Sequence, residues 1–259
     1  APSSKSYTIR GLMCASLAAG QSEIVHPLGS DDTEASLEVL RQIGIRVRQG
    51  QDSWQVNGGN FREPDTDLFC RESAATLRFM TAICSLVPGR CHLTSAPSLA
   101  RRPIKPLIQA LRQLGADGTY QEEAEAVVVN GGTLKGESTE LPGNISSQFV
   151  SALLLISPLA DESVSIRLTT PLESRPFVLM TLECLKAFGV IVEFSKDLRE
   201  LETSRQKYKP AKYSVEGDWS SASYLLGLGA LCGEVVVENL NPASLQGDKI
   251  ILDFLEAMG

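Results

Sequence analysis

Hydrophobic positions recur along this chain with a long period. Four segments place apolar residues three apart and then stop at glycine: Leu37, Leu40, Ile43, Gly44; Ile108, Leu111, Leu114, Gly115; Leu182, Leu185, Phe188, Gly189; and Leu252, Leu255, Met258, Gly259. The four closing glycines are almost evenly spaced along the chain. Such spacing of apolar residues lines one face of a helix, and a glycine that accepts positive φ ends it. Four other segments, Ser4–Ala19, Ser73–Leu86, Ser146–Leu159 and Ser220–Leu231, open with small or hydroxyl residues and are apolar on most sides. That pattern predicts helices buried all round. Each leads into a short strand: Glu23–Val25, Cys91–Thr94, Val164–Leu168 and Val235–Val237. Two more strands follow the glycine-closed helix, the second ending in Val56-Asn57-Gly58-Gly59, Val129-Asn130-Gly131-Gly132 and Val215-Glu216-Gly217-Asp218. The step from Gly58 to Gly131 matches the helix period, but the step from Gly131 to Gly217 is clearly longer, which predicts an extension in the third unit. The charged stretch Ser195–Lys212 is its expected place, as a longer solvated hairpin.

The chain is therefore expected to be an α/β unit of about 72 residues repeated three times, with part of a fourth. The pattern begins at a helix start and stops at a helix end. The strands expected before Ser4 and after Gly259 are absent, so the sequence reads as a piece of a longer protein. No GxGxxG follows a strand, which removes an ordinary dinucleotide-binding domain from consideration.

Composition narrows the function. With 259 residues, 43% of them hydrophobic, the chain can bury a substantial core and is not of a disordered class. A net charge of −7 argues against a surface devoted to nucleic acid or anionic membrane. No apolar run approaches the ~18 residues of a membrane span. Lys5 and Arg10 ahead of a small apolar run look superficially like a leader, but a buried helix accounts for them better. Six cysteines without a CxxC pair, beside only two histidines, read as reduced thiols in a cytoplasmic setting and not as a metal site.

Polar chemistry gathers where the buried helices start: Ser3-Ser4-Lys5-Ser6 with Arg10, Ser73 with Arg78, and Gly143-Asn144 before Ser146-Ser147-Gln148. Helix starts present unpaired N–H groups and partial positive charge, so they accept phosphate and carboxylate. Lysine adds a point charge, and Arg10, Arg78 and Arg102 add forked donors. Taken singly, each serine is most simply a helix cap; the repetition of basic residues and glutamine beside them favours anion binding. Arg101-Arg102-Pro103 and Glu173-Ser174-Arg175-Pro176 occupy equivalent places before glycine-closed helices, with proline as a helix-start device. Asp31-Asp32-Thr33 starts the matching helix of the first unit, where capping alone explains the carboxylates. His26 and His92 both sit in strand-like contexts, which leaves no credible Ser/His/Asp triad.

These motifs, with Ser30-Asp31-Asp32-Thr33, Arg71 to Arg78, Arg102-Pro103-Ile104, Ile145 to Phe149, Asp218 to Tyr224 and Gln246-Gly247-Asp248, resemble the 5-enolpyruvylshikimate-3-phosphate synthases along essentially the whole chain. The resemblance implies an inside-out α/β barrel domain of three units plus part of a second domain. The division expected is 1–215 for the shikimate-3-phosphate-binding domain and 216–259 for the incomplete start of the second. It implies transfer of the enolpyruvyl group of phosphoenolpyruvate to the 5-hydroxyl of shikimate 3-phosphate, in aromatic amino-acid biosynthesis, with no cofactor and no metal. Lys5 is implied as the catalytic lysine touching both substrates. Ser6, Arg10, Ser146, Ser147, Gln148, Ser174 and Phe177 are implied at shikimate 3-phosphate, and Ala74, Arg102 and Gln148 at phosphoenolpyruvate.

Three departures from the family pattern stand out. Phe177 replaces a tyrosine, so ring packing is retained and a hydroxyl contact is not. Ala74 stands where many members carry glycine, as in glyphosate-insensitive members, which implies reduced glyphosate affinity. The family's acid/base Asp and Glu, a further Lys and two Arg belong to C-terminal units this chain lacks, so the chain alone is expected to bind shikimate 3-phosphate weakly without turnover. The expected partner is that C-terminal part, and the face left by its absence is expected to be apolar. Two alternatives remain: the related UDP-N-acetylglucosamine enolpyruvyl transferases, against which Ser146-Ser147-Gln148 and Ser174 weigh, and a non-catalytic binding fragment.

Overall fold

The computed structural model describes residues 1–259. In chain order its elements are α1 (Lys5–Leu17), β1 (Gly20–Val25), α2 (Asp31–Gln42), β2 (Arg46–Gln49), β3 (Ser53–Gly58), β4 (Leu68–Phe69), α3 (Ala74–Ile83), β5 (Arg90–Thr94), α4 (Pro97–Ala100), α5 (Lys105–Gln113), β6 (Asp117–Gln121), β7 (Ala126–Asn130), β8 (Ser138–Leu141), α6 (Ser147–Ile156), β9 (Val164–Leu168), α7 (Arg175–Ala187), β10 (Glu193–Phe194), β11 (Glu200–Thr203), β12 (Lys212–Ser214), α8 (Trp219–Cys232) and α9 (Ile251–Met258). Gly44, Gly115 and Gly189 end α2, α5 and α7 at φ of 100°, 87° and 79°, the left-handed region that only glycine enters freely.

The strands form three four-stranded sheets of one design, ordered β12-β1-β3-β2, β4-β5-β7-β6 and β8-β9-β11-β10. In each, the first pair is parallel and the other two are antiparallel. Strands β4 and β8 lead from one unit into the sheet of the next. Strand β12 returns to β1, so the three units close on themselves, and β12 fills the place expected of a strand before Ser4. Inside lie α1, α3 and α6, whose Leu12, Met13, Phe79, Met80, Leu153 and Leu154 have no exposed surface. Helix α3 packs on both α1 and α6. Helices α2, α5 and α7 bury one face each, as their spacing requires.

This topology corrects the expected extension. Strands β3, β7 and β11 end at Gly58, Asn130 and Thr203, in nearly equal steps along the chain. Strands β4, β8 and β12 end at Phe69, Leu141 and Ser214, in the same nearly equal steps. The third unit is thus regular, and Ser195–Arg199 is a tight turn between β10 and β11. Val215-Glu216-Gly217 follows β12 and is the counterpart of the stretch after β4, not of Val56-Asn57-Gly58. Its glycine is needed for a different reason: a Cβ on Gly58 would meet the end of α1 at Ala15, one on Gly131 would meet Val87 beyond α3, and one on Gly217 would meet Asn239.

Two further expectations fail in the fourth unit. Residues 235–237 form no strand, because a strand needs a ladder partner and none lies beside them. Helix α8 is not buried: Tyr224 is 81% exposed and Leu231 86%, and α9 leaves Met258 81% exposed. Apolar side chains thus cover an open face, the surface the sequence led us to expect. Residues 216–259 join the rest beside the first residues of the chain. Ser3 bridges Gly217, Ser4 N donates to Glu216 O, and Asp218 N donates to Pro2 O. The buried Gln246 amide accepts from Ser4 Oγ and Trp219 N and donates to Glu216 Oε1 and Gly217 O. His26 lies in a turn at φ 51°, not in a strand.

Candidate active site

Loops that follow parallel strands leave a sheet at one end and side by side, and such ends are where open α/β sheets bind ligands. The three parallel pairs here therefore bring six loops together in couples. Beyond β12 and β1 lie Glu216–Asp218 and His26–Ser30; beyond β4 and β5, Cys70–Ser73 and Ser95–Ile104; beyond β8 and β9, Pro142–Ser146 and Thr169–Ser174. Every site residue expected from sequence lies on one of these loops, in the first turns of the helix after one, or in the first turns of α1, which starts beside Gly217.

Lys5 is the first residue of α1, and its Nζ lies 2.5 Å from Asp32 Oδ2 in the first turn of α2. Asp31 Oδ1 is 2.5 Å from Arg71, whose other arm reaches Glu38 at 2.6 Å. The carboxylates thus form ion pairs, and the cap of α2 is Ser30, which exchanges hydrogen bonds with Thr33. Ser4 N-caps α1 only in position; its hydroxyl goes to Gln246, which leaves the first turn at Lys5 and Ser6 without a side-chain cap.

Arg10 stands one turn deeper and is 2% exposed. Its guanidinium donates to Thr181 Oγ1 (2.8 Å), Ser6 O (3.0 Å) and Phe177 O (3.1 Å), and lies over the Phe79 and Phe177 rings at 5.4 and 5.8 Å. No carboxylate is within ion-pair distance. Cys184 nearby is pushed up to about 12 by burial, and Tyr7 and Tyr213 are raised by burial too, so all three are neutral around pH 7. Burial lowers the affinity of Arg10 for its proton. A buried cation without a counter-charge is costly unless something else supplies the charge.

Arg78 in α3 repeats the arrangement. It donates to Gln148 Oε1 at 2.5 Å, lies over Phe149 at 5.2 Å, and makes no ion pair. Burial, with the neighbouring positive Arg102, lowers its pKa to about 10. Arg102 is exposed on the turn before α5, held by Arg102 N to Leu99 O. Pro103 precedes the helix, and the proline inside its first turn is Pro106; in α7 it is Pro176, as expected. Ala74 opens α3 behind its cap Ser73, half-buried against the core. Ser146 caps α6 by accepting Gln148 N at 3.3 Å, and Ser147 is nearly buried. Ser174 precedes α7 at φ 53°, and Phe177 is 36% exposed.

The structure therefore joins Lys5 to Asp32, Arg10 to Ser6 and Phe177, and Arg78 to Gln148, with Arg102 nearby, across the five helices α1, α2, α3, α6 and α7. Sequence reasoning missed Thr181 and the ion-pair role of Asp32. The acidic partner of Lys5 carried a signal in Asp31-Asp32; Thr181 carried none. A surface concavity lies elsewhere, at one end of the third sheet, and its Glu137, Glu193 and Glu202 make it unsuited to anions. No helix is long and apolar enough to cross a membrane.

Comparison with known proteins decides the family. Residues 1–259 match the profile described as EPSP synthase (3-phosphoshikimate 1-carboxyvinyltransferase). The chain belongs to the EPSP synthase family. A 3-phosphoshikimate 1-carboxyvinyltransferase of Dehalococcoides mccartyi is 49% identical over 260 residues, covering 100% of this chain and 61% of that protein. One from Methanothermobacter thermautotrophicus is 42% identical over 264 residues, covering 100% and 62%. The solved EPSP synthase from Acinetobacter baumannii superposes with a TM-score of 0.84 at 24% identity, over 100% of this chain and 59% of that one, which supports the fold. The chain thus spans about three fifths of the length of its EPSP synthase relatives.

Proposed function

We propose that this chain supplies the shikimate-3-phosphate-binding part of an enolpyruvyl transferase, with residues 1–215 as that domain and 216–259 as the start of a second. The observation that carries this is the pair of buried guanidiniums, Arg10 and Arg78, neither with a carboxylate within ion-pair distance, in a protein of net charge −7. Two anionic substrates provide the missing counter-charge. The hydroxyls of Ser146, Ser147 and Ser174 hold the shikimate phosphate. Ser6, Arg10, Gln148 and Phe177 hold its ring, with Phe177 giving a ring face and no hydroxyl. Arg102 clamps the phosphate of phosphoenolpyruvate beside Ala74, and Gln148, oriented by Arg78, meets both substrates. Lys5, oriented by Asp32, lies against the reacting 5-hydroxyl and phosphoenolpyruvate.

In the reaction, C3 of phosphoenolpyruvate gains a proton and the 5-oxygen bonds to C2 as its own proton leaves. The tetrahedral adduct then expels phosphate and a C3 proton, which leaves the enolpyruvyl ether. Positioned acid/base groups contribute roughly 10²–10⁴-fold each, and the C-terminal part of the relatives supplies those this chain lacks. The chain alone binds and does not turn over, and its exposed apolar face on α8 and α9 receives that part. The setting is cytoplasmic. The UDP-N-acetylglucosamine enolpyruvyl transferase reading is not favoured, since the curated relatives are 3-phosphoshikimate enzymes.

Calorimetric titration with shikimate 3-phosphate tests the proposal. Saturable binding is expected, weakened about tenfold or more by Lys5→Ala and by Ser147→Ala, because a hydrogen bond to a charged group contributes about 1.5–3 kcal/mol. Absence of binding in a folded sample would sink it. Ala74 gives a second expectation in an enzyme completed with the C-terminal part of a relative. Ala74→Gly removes a methyl that crowds glyphosate, and the inhibition constant should fall about tenfold, in line with ~1–3 kcal/mol for overpacking. Equal potency against both forms would contradict it.

A further inference from the structure

Strands β8 and β9 run parallel with Leu141 opposite Leu168, so their two loops depart together. One leads to Ser146 and Ser147, the other to Ser174. Backbone bonds tie them: Thr169 N to Leu141 O at 3.0 Å and Glu173 N to Gly143 O at 3.2 Å. Their backbones are in contact, since a Cβ on Gly143 would lie 2.8 Å from Thr170 O and 3.0 Å from Pro171 O. Between them stands a single hydroxyl. Thr170 Oγ1 accepts from Gly143 N (2.9 Å) and Asn144 N (3.1 Å) and donates to Asn144 Oδ1 (2.9 Å).

A hydroxyl has two lone pairs and one proton, and all three are used here. Because both lone pairs face N–H donors, the proton must go to Asn144, which fixes that amide with its oxygen toward Thr170. Thr170 thereby locks the loop just before Ser146 to the loop just before Ser174. Ser174 itself sits at φ 53°, a conformation costly for serine that persists only where its surroundings enforce it.

We infer that Thr170 is a positioning residue for the ligand phosphate: it sets the spacing between the Ser146–Ser147 loop and the Ser174 loop. This rests on the reading of these serines as the shikimate phosphate site. Hydroxyls from separate loops hold one phosphate well only when their spacing is fixed within a fraction of an ångström. A residue acting in this way affects recognition of the phosphate and leaves recognition of the ring unchanged.

The test is titration of this chain with shikimate 3-phosphate, and with shikimate by displacement. Thr170→Val keeps the shape and removes the hydroxyl; the dissociation constant for shikimate 3-phosphate should rise about tenfold, the scale of one lost hydrogen-bond set. The value for shikimate should stay within about twofold, and Thr170→Ser should restore phosphate-ester binding to within about threefold. If Thr170→Val does not fold, Asn144→Ala, on an exposed side chain, takes its place, with a roughly threefold loss confined to the phosphate ester. Unchanged affinity, equal weakening for both ligands, or no rescue by serine would overturn the inference. If the unaltered chain binds shikimate but not its phosphate ester, the reading of the site falls, and the inference with it.

Discussion

Arg10→Met is expected to weaken shikimate 3-phosphate binding by at least about 100-fold, more than Lys5→Ala or Ser147→Ala weakens it. Removing one member of a buried charge pair costs about 3–5 kcal/mol, and Arg10 is buried with no carboxylate within ion-pair distance, so on the proposed reading the ligand supplies the opposite charge. Methionine fills similar space but removes the side-chain donors to Ser6 O, Phe177 O and Thr181 Oγ1. Arg10→Lys separates charge from geometry. It keeps the cation and loses the fork that reaches Ser6, Phe177 and Thr181 together, so a loss of about tenfold is expected. Calorimetry reads both variants, with circular dichroism to show that they fold. Arg10→Met binding within threefold of the unaltered chain would mean that this guanidinium is a packing device.

The features that sequence revealed are those decided within a few residues. Leu37, Leu40 and Ile43 define a helical face, and Gly44 supplies a left-handed residue; both are local facts, and α2 ends there. The buried character of α1, α3 and α6 was legible for the same reason, since no polar stripe interrupts them. Partnership was harder to see. Val215-Glu216-Gly217 looks like Val129-Asn130-Gly131, yet it follows a strand that pairs in parallel with β1, near the opposite end of the chain. Val235-Val236-Val237 has strand composition but no ladder partner. Strands β4 and β8 went unnoticed because two residues, or the polar Ser138-Thr139-Glu140-Leu141, make no periodic signal.

Those unnoticed strands organise the candidate site. The parallel pairs β4–β5 and β8–β9 place the starts of α3, α5, α6 and α7 at one end of their sheets. The basic and hydroxyl residues were visible in the sequence, and so was their place at helix starts. The contacts Lys5–Asp32, Arg78–Gln148 and Thr170–Asn144 were not, since each joins residues from different units or loops. Thr170 sits in Thr169-Thr170-Pro171, where nothing in composition distinguishes a bridging hydroxyl from a solvated one.

Turnover should depend on what lies beyond this chain. On the proposed reading, closure of a second domain excludes water and completes the acid/base set, so residues 1–259 alone should release no phosphate from phosphoenolpyruvate. The most direct measurement joins residues 1–259 to the C-terminal two fifths of the 49% identical Dehalococcoides mccartyi relative, and assays phosphate release. We expect release that requires both shikimate 3-phosphate and phosphoenolpyruvate, reduced by Lys5→Ala on the order of 10²–10⁴-fold. A folded chimera that binds both substrates without releasing phosphate, or one indifferent to shikimate 3-phosphate, would contradict the account.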